Sequence, residues 1–327
     1  MRPVTRPTVV PPTLRSTGIG GRKATSHAAD FEATGTAPKD FPAHWMLPDV
    51  RGALFVMHWR ICGYCNSLLN EYDHGEVEHF RPKGNLKEDI THGGYWWLAY
   101  DFQNYILACR QCNSRATKGT SFPLRRHDAL RLRYENRGEW EQEERHLLDP
   151  SLDPIDGWLI CTNDGFLKPD PRLPSDSSER LTGVIEFFRL NTRPELVRER
   201  ARLFDESLAL SITGDFVKLQ YRSLPTTPHS VAPLTVLTTF GAHKAPTVGE
   251  AFDALLDALK DDFIAALRVA ENGPSARLHK LLTELSYALA NAWVCPVGRT
   301  AEDVELYLQR FGLAEHLGPF RAKLLAS

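Results

Sequence analysis

ICGYCN at residues 61–66 and ACRQCN at residues 108–113 are the two stretches that decide the fold of this chain. Each contains a Cys-x-x-Cys pair, Cys62 with Cys65 and Cys109 with Cys112. Two thiolates at this spacing can occupy two corners of a tetrahedral zinc site. Two such pairs in one region therefore predict a structural four-cysteine zinc site. A closed site of this kind has no open coordination position, so we expect it to hold the fold together and not to catalyse.

The stretch EVEHFRPKG, residues 76–84, lies between the two pairs and places Glu78 directly beside His79. Its alternation predicts a strand that ends at Phe80. Hydrolysis of a phosphodiester needs a water that loses its proton near pH 7 and a divalent cation that neutralises charge. Histidine suits the first task and a carboxylate suits the second. Because neighbours on a flat strand point to opposite faces, a bend or a metal between strand and helix is needed to bring both to one place.

Two asparagines extend this candidate site. Asn113 follows the second cysteine pair at the start of a predicted helix, where its amide oxygen can serve as a second metal ligand. Asn104 opens the predicted strand NYILAC, where it can hold the loop that carries His79 through backbone hydrogen bonds. Alone, these two residues are equally well explained as turn and N-cap residues. Their occurrence together with Glu78 and His79 favours a catalytic site.

In this combination, the sequence resembles the HNH endonucleases, whose ββα-metal fold is often braced by a zinc ion on four cysteines. The resemblance implies that His79 is the general base, that Glu78 is the metal-binding acid before it, and that Asn104 is a structural residue that orients the base. It implies that Asn113 is a metal ligand, although the family's eponymous histidine stands at this position. A neutral oxygen ligand there suits Mg²⁺ or Mn²⁺ better than zinc.

A closer resemblance covers roughly residues 45–210. GGYWWLAYDFQNYILACRQCNSRATKGTSFPL at residues 93–124 and LLDPSLDPIDGWLICTNDGFLKP at residues 147–169 are similar to the HNH subunit of Septu-type anti-phage defence systems, which also accompanies some retrons. In such systems the HNH protein works beside an ATPase partner. The resemblance implies a nuclease effector in a defence complex, with an ATPase partner and a nucleic acid substrate, DNA being favoured over RNA.

Basic side chains surround the candidate site. Arg81 and Lys83 follow His79, and Lys118 follows Asn113. They are either solvated surface charges or phosphate contacts, and we favour phosphate contacts because the neighbouring residues suit phosphodiester hydrolysis. The aromatic residues of YWWLAYDF, residues 95–102, can stack on bases, but so many in one short segment are more typical of a core.

Composition bounds the remaining possibilities. The chain has 327 residues and a formal net charge of −2, so any nucleic-acid surface is a local patch. It lacks a run of about 18 apolar residues and a signal-peptide segment, so we expect a cytoplasmic protein. The predicted fold class is α+β, with a ββα-metal core braced by zinc and a mainly α-helical C-terminal region. Cys161 and Cys295 stand alone and are predicted to be buried small hydrophobes.

Changes in composition, motifs and predicted secondary structure along the sequence predict four regions. Residues 1–44 form a basic irregular N-terminal arm, which is either a disordered tail or a contact to phosphates or a partner. Residues 45–145 form the HNH domain with its zinc site. Residues 146–215 form a hairpin-plus-helix extension, with a turn at Asn163-Asp164-Gly165 and a helix capped by Thr192. Residues 216–327 form a helical region that offers a partner-binding surface, and the Pro/Thr-rich stretch at residues 219–249 within it is a candidate linker or docking loop.

The two cysteine pairs also occur in two other classes of protein. A non-catalytic zinc module that binds nucleic acid or a protein partner would keep the four cysteines and need nothing from His79. A Cys-x-x-Cys redox protein is disfavoured, because such motifs usually occur singly at a strand-to-helix turn of a βαβ unit, and no such unit precedes Cys62 or Cys109.

Overall fold

A two-stranded antiparallel hairpin followed by a short helix forms the centre of the protein. Strand β1 (Glu76–His79) pairs with strand β2 (Tyr105–Ala108), and Glu78 lies opposite Ile106 while His79 lies opposite Tyr105. Helix α3 (Arg110–Asn113) follows β2 directly, with Cys109 as its N-cap. The strand, strand and helix therefore occur in the order that the sequence predicts, and α3 is only four residues long.

A computed structural model describes residues 1–7, 9–69, 75–126, 129–139 and 142–240. One structural unit, Met1–Arg6 with Val10–His243, contains nearly all of them. The second unit, Pro7–Val9 with Lys244–Ser327, lies almost wholly outside the described residues, as do Cys295 and the helices predicted after residue 247. Within the described ranges, no helix has the length and apolar character that crossing a membrane requires.

Helices surround the hairpin, and the α+β class is confirmed. Helix α2 (Pro48–His58) leads into the first cysteine pair. Pro48 lies in its first turn, and Trp59, at its end, has a left-handed backbone conformation. The buried core is continuous from the N-terminal residues to residue 232 and includes the four paired cysteines and the predicted aromatic core residues Tyr95, Tyr100 and Phe102. The remaining described α-helices are α1 (Ile19–Thr34), α2 (Pro48–His58), α4 (Ser175–Phe187), α5 (Pro194–Thr213), α6 (Phe216–Ser223) and α7 (Val231–Phe240).

The predicted hairpin of the extension is confirmed. Strands β3 (Leu159–Cys161) and β4 (Leu167–Pro169) are antiparallel around the Asn163-Asp164-Gly165 turn. Gly165 is required there for two reasons. Its φ of 83° lies in the left-handed region, and a Cβ atom would lie 2.0 Å from the carbonyl oxygen of Val197 in α5. The turn glycine therefore also allows the hairpin to approach the helix that follows it.

The N-terminal region differs from the predicted irregular arm. Residues 19–34 are helical, and the backbone approaches itself so closely that a Cβ atom on Gly21 would lie 2.0 Å from the carbonyl oxygen of Arg15. In the sequence, the glycines of this region indicate irregular structure. In the fold, Gly21 lies in a helix and allows its backbone to pack closely against Arg15. Arg2 is buried, and Arg6 donates hydrogen bonds of 2.9 Å to the carbonyl oxygens of Phe102 and Tyr105. These two arginines are committed to the protein itself and are not free for a phosphate.

Two further predictions are wrong. The predicted linker at residues 219–249 contains part of α6 and all of α7, and the Thr235 hydroxyl of α7 accepts a 2.9 Å hydrogen bond from the backbone N–H of Cys161 in β3. Helix α5 has Arg193, and not Thr192, at its N-cap position, although Pro194 does occupy the first turn. The threonines and prolines in these stretches indicated a loop. In the structure, Pro194 lies in the first turn of a helix and Thr235 makes a hydrogen bond to a neighbouring strand.

Candidate metal centre and hydrolytic site

The four paired cysteines form one buried cluster. The Sγ atoms of Cys62, Cys65, Cys109 and Cys112 all lie within 4.8 Å of one another, and Cys65 and Cys109 are 3.7 Å apart. A zinc ion with Zn–S bonds of about 2.3 Å would place its four sulfur atoms about 3.8 Å apart. The geometry and the donor type therefore fit, and the cluster could hold a metal such as zinc. The lone Cys161 is buried outside this cluster, as predicted.

A cation from the extension contacts the cysteine cluster. The Nη1 atom of Arg193, the N-cap residue of α5, donates a 3.3 Å hydrogen bond to Cys112 Sγ, and its side chain is only 9% exposed. Four thiolates around a divalent ion carry an excess negative charge, which a buried guanidinium offsets. No pattern in the sequence singles out Arg193, because Arg193 and Cys112 are 81 positions apart.

Arg193→Gln is expected to release zinc about ten times faster or more than the unchanged protein, because loss of an outer hydrogen-bond partner typically weakens metal binding about 10- to 100-fold. Release into a chromogenic chelator measures this directly. Arg198→Gln is the matched control, since Arg198 is an exposed arginine on the same helix. Equal release rates for the two variants would show that Arg193 does not support the metal site.

His79 lies in a buried aromatic pocket. Its ring meets Trp45 edge to face with centroids 4.8 Å apart and Tyr105 with centroids 5.0 Å apart. Its Nε2 atom lies 3.0 Å from the carbonyl oxygen of Ala99, which also accepts a 2.6 Å hydrogen bond from the Tyr105 hydroxyl. A carbonyl oxygen only accepts, so the proton is on Nε2 and the lone pair is on Nδ1.

The electrostatics of this pocket keep the imidazole neutral. Burial, together with the positive charge of Lys83, lowers the pKa of His79 to about 3. A neutral imidazole with its lone pair on Nδ1 is the form that can accept a proton from water. The pocket therefore keeps the imidazole unprotonated at neutral pH.

Asn104 fixes the chain immediately after β1. Its side chain accepts a 2.8 Å hydrogen bond from the N–H of Arg81 and donates a 2.9 Å hydrogen bond to the carbonyl oxygen of the same residue. Its own carbonyl oxygen accepts a 2.8 Å hydrogen bond from the N–H of Phe80. These three bonds hold the two residues that follow His79, so the structure places Asn104 where it fixes the end of the strand that carries His79.

Glu78 is buried and faces a lysine. Only 4% of Glu78 is exposed, and its Oε1 atom lies 2.9 Å from the Nζ atom of the fully buried Lys118. The two groups form an ion pair but are not aligned for a hydrogen bond, and neither atom has another partner within the described structure. Burial raises the pKa of Glu78, while Lys118 and Lys83 act to lower it.

Asn113 contacts the carboxylate of Glu76, which was not predicted to be part of the site. Its Nδ2 atom donates a 2.7 Å hydrogen bond to Glu76, which shares a face of β1 with Glu78. The amide oxygen of Asn113 is thus the atom left for a metal. Nothing in the sequence alone singled out Glu76, although its spacing of two from Glu78 on a strand was the available signal.

Glu78 and His79 point to opposite faces at the end of β1, as neighbours on a strand do. The ammonium groups of Lys83 and Lys118 nevertheless influence the pKa of both residues, after the larger effect of burial. The carboxylate and the imidazole therefore lie in one common electrostatic environment.

Lys83 and Arg81, two of the predicted phosphate contacts, differ in their exposure and in their partners. Lys83 is partly exposed, and its Nζ atom lies 4.5 Å from the centroid of the Trp45 ring, next to the His79 pocket. Arg81 is buried, and its Nε atom donates a 2.7 Å hydrogen bond to Glu143. Glu143 also accepts a hydrogen bond from the Tyr95 hydroxyl at 2.5 Å. This placement corrects the phosphate contact predicted for Arg81, because its guanidinium neutralises a buried carboxylate.

Comparison with curated proteins finds a relative of this chain. It is similar to the Septu protein PtuB of Bacillus mycoides (strain KBAB4), with 32% identity over 146 residues. The match covers 43% of this chain and 46% of that protein, so the chain spans less than half the length of this relative. No protein-family model matches the chain. The similarity supports a relationship to the Septu family.

Proposed function

We propose that this protein is a metal-dependent HNH endonuclease that hydrolyses phosphodiester bonds of nucleic acid. The observation that carries the proposal is the buried His79, whose Nε2 is held by the Ala99 carbonyl so that its lone pair is on Nδ1, next in the sequence to the buried Glu78. A buried cluster of four cysteines, which could hold zinc, and two asparagines at the motif positions support the proposal as well.

The donor set of the second site fits a hard divalent cation. The Oε1 atom of Glu78 is a buried oxygen without a hydrogen bond, and a cation, Lys118, already lies against it. Glu78 and the amide oxygen of Asn113 would hold Mg²⁺ or Mn²⁺, which when bound stabilises charge on the phosphate and the leaving oxygen. His79 accepts the proton of the attacking water at Nδ1, and Asn104 holds the chain after His79. The products carry 5′-phosphate and 3′-hydroxyl ends.

The biological setting is proposed from the similarity to the Septu protein. We propose that the chain is the nuclease effector of an anti-phage defence complex with an ATPase subunit, with DNA as the favoured substrate. The formal net charge of −2 agrees with shared substrate capture, because a nearly neutral chain attracts a polyanion weakly. The helical region 216–327 is the proposed surface for the partner.

Glu78→Gln is expected to lower the cleavage rate about a hundredfold or more at limiting Mn²⁺, because the metal contributes several kcal/mol to charge stabilisation. Raising the Mn²⁺ concentration should recover part of the rate, which distinguishes a lost ligand from a lost base. The measurement is the initial rate of nicking of a supercoiled plasmid as Mn²⁺ is varied, with the exposed Glu186→Gln as control.

The alternative is a non-catalytic zinc module that binds nucleic acid or a protein. Zinc-loaded protein that cleaves neither DNA nor RNA with any divalent cation, even with its partner present, would favour this alternative. An unchanged rate and an unchanged Mn²⁺ dependence in Glu78→Gln would exclude the metal role of that residue.

A further inference from the structure

Lys118 is a fully buried lysine whose ammonium contacts one carboxylate. Its Nζ atom lies 2.9 Å from Glu78 Oε1, and Lys118 has no exposed surface while the Glu78 side chain is 6% exposed. Lysine is rarely buried completely unless it is paired. Within the described structure neither atom has a hydrogen-bond partner elsewhere, so the ion pair is the main polar contact of both groups.

The backbone of Lys118 is fixed to the cysteine cluster. Its N–H donates a 3.1 Å hydrogen bond to the carbonyl oxygen of Cys112, and its carbonyl oxygen accepts a 2.7 Å hydrogen bond from Ser121. The ammonium, in contrast, is at the end of a flexible four-carbon chain. The side chain can therefore change position while the backbone stays in place.

The contact of Lys118 occupies the carboxylate that the proposed function assigns to a divalent cation. Two cations in contact with one buried carboxylate repel each other strongly, since water does not screen them there. Removal of the lysine charge leaves a buried carboxylate without its main counter-ion, which is costly in the absence of another cation.

We propose that Lys118 is the resident counter-ion of Glu78 in the metal-free protein, and that binding of a divalent cation requires its ammonium to leave the carboxylate. Lys118 thus sets the metal concentration at which the site becomes competent, an inference that rests on the proposed function. The phosphate contact predicted for Lys118 then belongs to the metal-bound protein, after its ammonium has left Glu78.

Mn²⁺ binding to the zinc-loaded full chain, without nucleic acid, tests this inference. The loss of the free-Mn²⁺ electron paramagnetic resonance signal gives the Kd. Lys118→Met is expected to lower the Kd for Mn²⁺ about tenfold or more. A tenfold change in Kd corresponds to about 1.4 kcal/mol, and breaking an ion pair that is buried at both ends costs more than this. Lys118→Gln, a neutral polar variant, should change the Kd in the same direction and serves if the methionine variant does not fold.

Two controls make the result specific. Lys83→Met should lower the Kd much less, because its ammonium lies against the Trp45 ring and is partly exposed. In the double variant Glu78→Gln/Lys118→Met the tighter binding should disappear. Zinc content and melting temperature establish that each variant is folded.

The possible results separate the two ideas. Glu78-dependent Mn²⁺ binding with an unchanged or higher Kd in both Lys118 variants would overturn the role of Lys118 and leave the proposed function intact. Absence of Glu78-dependent Mn²⁺ binding in every protein tested would overturn the proposed metal site and the role of Lys118 together. The inference is supported if the Kd is lower in the two Lys118 variants, changes much less in Lys83→Met and is not lowered in the double variant.

Discussion

His79→Ala is expected to lower the cleavage rate by about a hundred- to ten-thousand-fold, the usual contribution of a positioned general base. The Nε2–H of His79 is held by the Ala99 carbonyl, so Nδ1 is the atom proposed to activate water. Unlike Glu78→Gln, this variant should not recover at high Mn²⁺, because the metal ligands remain. The measurement is the single-turnover rate at saturating Mn²⁺.

His92→Ala is the matched control for the loss of a buried histidine. Both histidines are 6% exposed, and Nε2 of His92 donates to the carbonyl oxygen of Leu132 at 2.6 Å, in the same way as His79 does to Ala99. Zinc content and melting temperature should be similar in the two variants. A His79→Ala variant that cleaves as fast as His92→Ala would exclude His79 as the base.

Removal of zinc is expected to unfold the hairpin and the chain packed against it. Structural zinc sites contribute about 10–16 kcal/mol at pH 7, as much as the whole stability of about 5–15 kcal/mol of a typical domain. Cys112→Ser should therefore lose zinc and the cooperative thermal transition, because β1 and β2 lie between the two cysteine pairs and α3 contains Cys112 itself. Metal analysis and circular dichroism measure both.

Cys161→Ser is the control for this variant. Cys161 is a buried thiol outside the cluster, and burial raises its pKa to about 12. Its replacement should keep the zinc content of the unchanged protein. A Cys112→Ser variant that folds as well as Cys161→Ser would show that the four-cysteine cluster is not needed for the fold.

The elements that sequence predicted correctly depend on local patterns. The two Cys-x-x-Cys pairs, the alternation in EVEHF and the Asn-Asp-Gly turn each encode geometry within a few residues. These patterns were sufficient for the cysteine cluster, the β1–β2 pairing and the β3–β4 hairpin.

What sequence did not predict depends on contacts between distant residues. Arg81 and Glu143 are 62 positions apart, and neither has a pattern that names the other. The same holds for Arg193 and Cys112. In the sequence, an arginine close to a candidate base indicates a phosphate contact. In the folded protein, the same guanidinium can instead pair with a buried carboxylate from a distant part of the chain. The glycines of α1 are a second case, since only the packed structure shows why they are tolerated in a helix.

The most direct test of the central claim is cleavage of nucleic acid by the zinc-loaded full chain, co-purified with the product of the neighbouring gene. Supercoiled plasmid and total RNA are each incubated with Mg²⁺ or Mn²⁺, beside the His79→Ala protein. We predict cleavage that needs the divalent cation and is lost in His79→Ala. Cleavage that persists in His79→Ala, or its absence on both substrates with either metal, would contradict the claim.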